Sequence, residues 1–467
     1  MHLWRGSTTL QIKMSKAKLT FAGGAGTVTG ANFLLDNGDF KFLVDCGLEQ
    51  GEKFCKDCNY DPFIYDPASV DVLIVTHSHS DHIGRIPKLV KEGFKGVIYS
   101  TPSTRDISEV MFADSVKIIG QEAKKEDVEP LYDDEDVAKT MSLWKTVKYH
   151  ENTDIGGGFS LNFKDAGHIL GSAIAEVTHK DKKIVFTGDL GNTPAPILRD
   201  TEKVEGADYM VMESVYGDRN HEDKEERRAH LKQAILDIKK RGGVLMIPAF
   251  SIQRTQLLLY EINNFVEEGE IDEIPVYLDS PLAIKVTNLY QKYPENFNES
   301  VKKEISEGDN IFEFPKLSFT PRVEESKSIA KSDSPKIVIA GSGMSMGGRI
   351  LHHEKKYLED KNNILLIVGY QAAGTLGRRI QDGAKEIEIM EQNVFVRAEV
   401  RSIHGFSAHK DSENLLSFVE DSSDTLRKVF VCMGEPKSSS FLAQRIRDFL
   451  DVESYVPEKG ESIEIEI

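Results

Sequence analysis

Short apolar runs bounded by Gly, Asp and Asn recur along the chain and alternate with helical patterns, the arrangement of an α/β protein. Strands are expected at Lys18–Ala22, Phe33–Leu35, Lys41–Val44, Val72–Thr76, Gly96–Tyr99, Lys183–Thr187 and Tyr209–Met212. Helical spacing covers Arg105–Ile119 and Asp136–Thr146. A charged amphipathic helix is expected over Glu222–Lys240, leading into a buried strand at Gly243–Ile247. Helix Thr255–Val266, strand Pro275–Leu278 and helix Ala283–Tyr293 follow. Asn298–Pro335 is polar and irregular and is expected to run over the surface. Strand Lys336–Ala340 then enters a Gly-rich loop and a helix, followed by strand Ile364–Val368. The last part predicts strands Val394–Val400 and Val429–Val431, helices near Ser412–Glu420 and Ser440–Leu450, and a final strand-like Ser462–Ile467 able to pair between subunits of a homodimer.

The strand–loop–helix units between Glu213 and Asn363 read as a separate nucleotide-binding-like unit flanked by segments of another domain. This predicts an insertion: residues 15–212 and 364–467 in one domain, 213–363 in the other. The first thirteen residues lack a clear pattern, and Met14 is expected to be the natural start or the beginning of ordered structure.

At 467 residues the chain has room for two or three domains. Its apolar fraction of 40% and charged fraction of 29% are those of a soluble protein. The net charge of −18 argues against non-specific coating of long nucleic acid, though it leaves room for a local basic channel. No run approaches the roughly 20 apolar residues of a membrane helix, and the N-terminus lacks a signal-peptide core. A cytoplasmic protein without a membrane partner is expected. Four cysteines do not make a disulfide framework, so Cys55 and Cys58 read as loop thiols, with metal capture or redox pairing as the alternatives.

Chemistry enters at residues 77–82, His-Ser-His-Ser-Asp-His, directly after an apolar strand. Two residues apart on a strand means one face, so His77 and His79 can reach one ion. Asp81 and His82 follow on the turn and can reach a second. Neutral imidazoles and carboxylates suit zinc with a coordination position left open. His168, in Ala-Gly-His-Ile-Leu-Gly, and Asp189, in Phe-Thr-Gly-Asp-Leu-Gly, each follow a strand-like run, where the first can close one shell and the second can bridge two ions.

In this order the motifs resemble the metallo-β-lactamase superfamily, which implies an αββα sandwich with a two-zinc site at one sheet edge. Zinc there lowers the pKa of a bound water to about 7. Five further runs resemble the β-CASP group of nucleases: Met-Glu-Ser-Val-Tyr-Gly-Asp-Arg-Asn-His at 212–221, Ile-Pro-Ala-Phe-Ser-Ile-Gln-Arg-Thr-Gln at 247–256, Leu-Asp-Ser-Pro-Leu-Ala at 278–283, Gly-Ser-Gly-Met-Ser-Met-Gly-Gly-Arg at 341–349 and Phe-Ser-Ala-His-Lys-Asp at 406–411. The likeness covers almost all of Lys18–Leu450, is nearest to RNA-cleaving members, and implies an inserted Rossmann-like β-CASP domain. Gly369–Arg378 is expected to mark the return to the metal domain.

The resemblance makes Glu213 and His409 a pair that protonates the leaving oxygen, with Asp81 completing the catalytic set. A carboxylate beside an imidazole holds it charged and oriented, which suits a general acid. The residue-level alternatives are a Glu213–Arg219 salt bridge and a helix-capping His409. The loop at 341–348 precedes a helix, where amides can bind phosphate. Ser342, Gly343, Thr375, Arg254, Arg349 and Arg378 are accordingly expected to contact substrate. His352 and His353 belong to a helix face, and His404 has no assigned role.

One position departs from the pattern. RNA-cleaving relatives end a late strand in His-Gly-Glu, whose His ligates the second zinc; here Met433 stands in Val-Cys-Met-Gly-Glu. A thioether is a poor ligand for zinc. Three outcomes stay open: a weaker second site with activity kept, a change of substrate to single-stranded DNA, or a reduced-activity paralogue that binds RNA. The expected function is zinc-dependent hydrolysis of single-stranded RNA. A small-molecule hydrolase such as a thioesterase is the other enzymatic reading, and it has no need of the inserted domain.

Overall fold

The computed structural model describes residues 16–50, 56–221, 224–372, 374–403 and 405–467. Residues 1–13, Met14, Cys55 and His404 lie outside them. Cys58, expected as a loop thiol, is disulfide-bonded, while Cys46 and Cys432 are buried and free.

Two seven-stranded sheets face each other. The first runs, edge to edge, Ser462–Glu466, Lys16–Gly23, Asn32–Asp36, Lys41–Val44, Val72–Ile74, Val97–Ser100 and Trp144–Thr146. The second runs Ser454–Tyr455, Lys428–Val431, Tyr209–Met212, Lys182–Phe186, Ala173–His179, Phe159–Asp165 and Thr153–Gly156. Their inner faces share one core, in which Phe21 meets Phe430 at 5.3 Å and Phe42 meets Phe186 at 6.1 Å between ring centroids. The outer face of the first sheet packs Leu43, Leu73 and Ile98 against Ile86, Leu89 and Phe112. The outer face of the second packs Val185, Met210 and Val429 against Leu415, Val419 and Leu442. This is an αββα sandwich.

The third sheet has six parallel strands: Leu317–Phe319, Val276–Leu278, Lys336–Ala340, Val244–Pro248, Ile364–Ile367 and Glu399–Ser402. Its central strands are buried along their whole length because helices cover both faces, as a parallel sheet requires. Ile169 and Leu170, beside His168, pack into the same cluster, so the insertion is anchored next to the expected metal ligands.

Several expectations are corrected. Ile364–Ile367 and Glu399–Ser402 pair within the third sheet, so the insertion runs past residue 363, and Gly369–Arg378 does not return the chain to the metal domain. Asn298–Pro335 is not irregular: Asn298 caps helix Glu299–Ser306, Leu317–Phe319 adds an edge strand, and Val323–Ile329 is helical. The helix expected over Asp136–Thr146 stops at Ser142, where Trp144–Thr146 turns into a strand held by the Trp144 indole N–H donating to Ser100 Oγ at 2.8 Å. Val394–Val400 divides between a hairpin strand, Gln392–Phe395, and the edge strand Glu399–Ser402. The final strand pairs with Lys16–Gly23 of its own chain, Ile465 opposite Ala17. Among the described residues no helix is long and apolar enough to cross a membrane.

Candidate metal centre and catalytic dyad

Strand Val72–Ile74 ends in a turn that carries His77, and His79 begins the short helix Ser80–Ile83. That helix presses on the loop after Lys41–Val44: a Cβ on Gly47 would lie 1.5 Å from the Asp81 carbonyl oxygen, so only glycine fits. His168 and Asp189 arrive from loops after Phe159–Asp165 and Lys182–Phe186. The site therefore sits where strand ends of both sheets meet.

His77, His79, His168 and Asp189 converge there. His77 Nε2 and His168 Nε2 each lie 3.2 Å from His79 Nδ1. Asp189 Oδ2 is 3.4 Å from His77 Nε2 and 3.5 Å from His168 Nε2. Ligands about 2.0–2.1 Å from a tetrahedral ion stand about 3.3 Å apart, so the spacing fits one metal. Asp189 Oδ1 faces the other way, 3.3 Å from His82 Nε2. Both of these buried atoms lack a hydrogen-bond partner, as expected of ligands to a second ion. Asp81 Oδ2 is 4.0 Å from His82 Nε2, on the more exposed side, and stands outside the tight cluster.

In His77, His82 and His168 the other nitrogen is hydrogen-bonded, which fixes the orientation of the ring. Thr76 Oγ1 donates to Asp45 Oδ2 at 2.7 Å, so it accepts from His77 Nδ1 at 3.1 Å. His82 Nδ1 donates to Asp45 Oδ2 at 2.7 Å, and His168 Nδ1 to the Ala408 carbonyl at 3.2 Å. The lone pairs of His77 Nε2 and His168 Nε2 are left facing the centre; at His82 burial would lower the pKa, but the Asp189 and Asp45 carboxylates raise it well above the ordinary histidine range. Burial and neighbouring imidazoles push His79 and His168 well below the ordinary histidine range, so both stay neutral. Asp45 was absent from the expected site residues. Its sequence signal was an Asp directly after the apolar strand Lys41–Val44, where it takes a positive φ of 58°.

Beyond Asp189 lies the dyad. Glu213, 1% exposed, accepts at Oε1 from Leu190 N at 2.6 Å and stands 3.2 Å from His409 Nδ1. His409 Nδ1 is also 3.9 Å from Asp189 Oδ2. Burial alone would lower the His409 pKa, but the Glu213 and Asp189 carboxylates outweigh it and hold it at about 9. The alternatives fall away: Arg219 pairs with Asp218, and Asp411 caps the following helix.

The comparisons with known proteins agree with this geometry. Three family profiles match: a metallo-β-lactamase superfamily domain over residues 34–212, a β-CASP domain over 255–380, and a Zn-dependent metallo-hydrolase RNA specificity domain over 393–457. Ribonuclease TTHA0252 of Thermus thermophilus is 35% identical over 85% of this chain and 89% of its own. The chain belongs to the β-CASP group of the metallo-β-lactamase superfamily. It is a metal-dependent hydrolase of that family. Transcription termination factor FttA of Methanosarcina mazei is 33% identical over 94% of this chain and 70% of its own, and that of Methanothermobacter thermautotrophicus 33% over 96% and 72%. A crystal structure of a protein of unknown function from Enterococcus faecalis V583 covers 96% of this chain with TM-score 0.55 and 12% identity, a likeness of fold.

Within this β-CASP chain Met433 is 3% exposed and packs among Phe33, Phe186 and Phe430. It shares the lining of a small cavity with Asp45, His82 and Glu213. The residues expected at the substrate divide. The 341–349 loop is not an open phosphate cradle, because Ser342 Oγ already accepts from the amides of Met346 and Gly347, and Ile350 N bonds to the Gly341 carbonyl. Gly343 packs under Phe250 and accepts from Gln371 Nε2. Arg349 is spent on Asp279 and on the Thr320 and Pro321 carbonyls. Arg378 pairs with Asp382, and Thr375 caps a helix. His353, on the helix face, bonds to Asp279. Arg254 Nη1 has no such engagement among the described residues.

Proposed function

We propose that the chain hydrolyses phosphodiester bonds of single-stranded RNA in the cytoplasm, using two zinc ions and leaving a 3′ hydroxyl and a 5′ phosphate. The observation that carries this reading is the Glu213–His409 dyad, which meets the ligand cluster at Asp189. His77, His79 and His168 would hold one zinc, His82 and Asp81 the other, with Asp189 between them. An imidazole-rich set with carboxylates favours zinc over the hard cations. Bound zinc supplies an acidified water and polarises the phosphate oxygens.

The chain's own part is positioning and proton delivery. With Nδ1 committed to Glu213, His409 offers Nε2 to the leaving oxygen. A pKa of about 9 keeps it protonated at neutral pH, the state a general acid needs. Two observations favour RNA: the RNA specificity profile over 393–457 and the names of the relatives, a ribonuclease and transcription termination factors. The inserted domain, anchored beside His168, narrows access toward unpaired strands.

The test is cleavage of a 5′-labelled single-stranded RNA by zinc-loaded protein, beside a hairpin, the same-sequence DNA and an Asp81→Asn variant. Cleavage of the unpaired RNA by the wild type alone is expected. Met433 favours a second reading, an RNA-binding paralogue with little turnover, and intact but bound RNA would select it.

A further inference from the structure

Arg254 opens helix Arg254–Glu267 in the inserted domain, after Gln253, whose side chain is turned inward to accept from the Tyr290 hydroxyl at 2.6 Å. Its guanidinium Nη1 is buried without a hydrogen-bond partner among the described residues. The groups that act on its charge are Tyr216 and Arg227, and no carboxylate is among them. Burial without a counter-ion lowers its pKa to about 10. A buried cation left unpaired is costly unless an anion arrives.

The surroundings make room for that cation. A Cβ on Gly369 would lie 2.7 Å from Nη1, and Gly369 does not have a left-handed backbone, so a side chain there would push the guanidinium aside without straining the turn. Gln371 Nε2 donates to the carbonyls of Gly343 and Gly369, at 2.9 and 3.4 Å, and ties this turn to the Gly-rich loop. Two partly exposed aromatic rings belong to these same segments: Phe250, lying over Gly343, is 39% exposed, and Tyr370, next to Gly369 in the chain, is 40% exposed and donates its hydroxyl to Glu435 Oε1 at 3.4 Å. On the other side Tyr216 lies with its ring 6.2 Å from that of His409. A guanidinium whose Nη1 is unpaired among the described residues thus lies against Gly369 and near Tyr216, whose ring neighbours that of His409.

Resting on the reading of RNA as substrate, we propose that Arg254 anchors a subsite for one backbone phosphate of a single-stranded RNA beside the metal centre, with Phe250 and Tyr370 stacking the neighbouring bases. Phosphate matches the fork of a guanidinium, and stacking on open rings binds unpaired bases without regard to sequence.

The experiment is fluorescence anisotropy of a labelled short oligouridine with the metal-loaded protein, in the cold and over a series of salt concentrations, with RNA integrity checked on gels. Arg254→Gln is expected to weaken binding about ten- to hundred-fold, the loss of one charge-assisted contact. The slope of log K against log salt should shrink by about 0.7, one phosphate's worth on a single strand. Arg254→Lys should recover the slope and part of the affinity, and Gly369→Ala should weaken binding by crowding the guanidinium. Melting curves identify variants that fail to fold; if Arg254→Gln is one, Arg254→Lys and Gly369→Ala decide. Unchanged affinity, or weaker binding with an unchanged salt slope, overturns the subsite. RNA that is bound through Arg254 but never cut sinks the hydrolase reading and leaves the subsite standing; RNA that is cut with binding indifferent to Arg254 does the reverse.

Discussion

Asp189 faces two sets of imidazoles with its two oxygens, and that division makes a single carboxylate the hinge of the site. The dyad beside it gives a prediction in pH. Glu213 and Asp189 raise the His409 pKa to about 9, so an acid role predicts activity that is kept below that value and lost as pH rises through it. In Glu213→Gln the support is removed, and the alkaline fall should move to lower pH. His409→Ala should lower RNA turnover about 10²–10⁴-fold, the usual worth of a general acid, with bound zinc unchanged by elemental analysis. Loss of zinc in that variant would make His409 a ligand instead. Met433 offers a gain-of-binding test: Met433→His adds an imidazole to the wall shared with His82. Retained zinc after gel filtration should rise toward two ions per chain, and an unchanged count would show that residue 433 does not reach the second ion.

At the scale of elements, the C-terminal strand and the helix behind the Gly-rich loop each carry a measurable load. Ile465, 3% exposed, lies opposite Ala17 and closes the sandwich core at the edge of the first sheet. Ile465→Ala should cost about 2–5 kcal/mol in denaturant unfolding, from lost burial and the cavity left behind. A neutral result would mean that this strand is not stably docked. Helix Ile350–Tyr357 places Glu354 under the 341–349 loop, where its Oε1 accepts from Ser345 Oγ at 2.5 Å and its buried Oε2 has no partner. Burial raises its pKa from 4.5 to about 7. The folded state therefore holds a proton that the unfolded chain has released, and its stability is full below pH 4.5 and declines as pH rises toward 7. The loss amounts to about 3 kcal/mol at most. Glu354→Gln, which keeps the shape and cannot ionise, should flatten that part of the stability–pH curve; a curve parallel to the wild type would exclude Glu354 as its source.

For the whole molecule, the ligands come from strand ends of both sheets, so an ion bound there links the two halves of the sandwich. Metal that binds only the folded chain stabilises it by mass action, about 2.7 kcal/mol at a hundredfold excess over Kd. Chelation should lower the calorimetric melting temperature, and added zinc should restore it. An unchanged melt would mean that the site is not coupled to folding. The same layout gives the insertion its place: Ile169 and Leu170 join its core directly after the proposed ligand His168.

Much of this site was legible in the chain. His77, His79, His168 and Asp189 could be grouped from their places after strand-like runs, and the fold brings these four side chains together; the repeated apolar runs announced an α/β protein. What sequence could not reach was set by partners distant in the chain. The strand Glu399–Ser402 joins the inserted sheet because Ile364–Ile367 offers it an edge, and no local pattern marks that. Leu317–Phe319 is a strand only because Val276–Leu278 lies beside it. Asp45 becomes a support for His82 only when the loop folds back across the turn at 77–82. Six residues looked equally suited to contact substrate by type and motif. Folding engaged Arg349 and Arg378 with carboxylates, turned Ser342 and Thr375 toward backbone amides, packed Gly343 under Phe250, and left Arg254 without an anion. Residue chemistry is written in sequence, but whether a charge is already satisfied depends on what the fold brings against it.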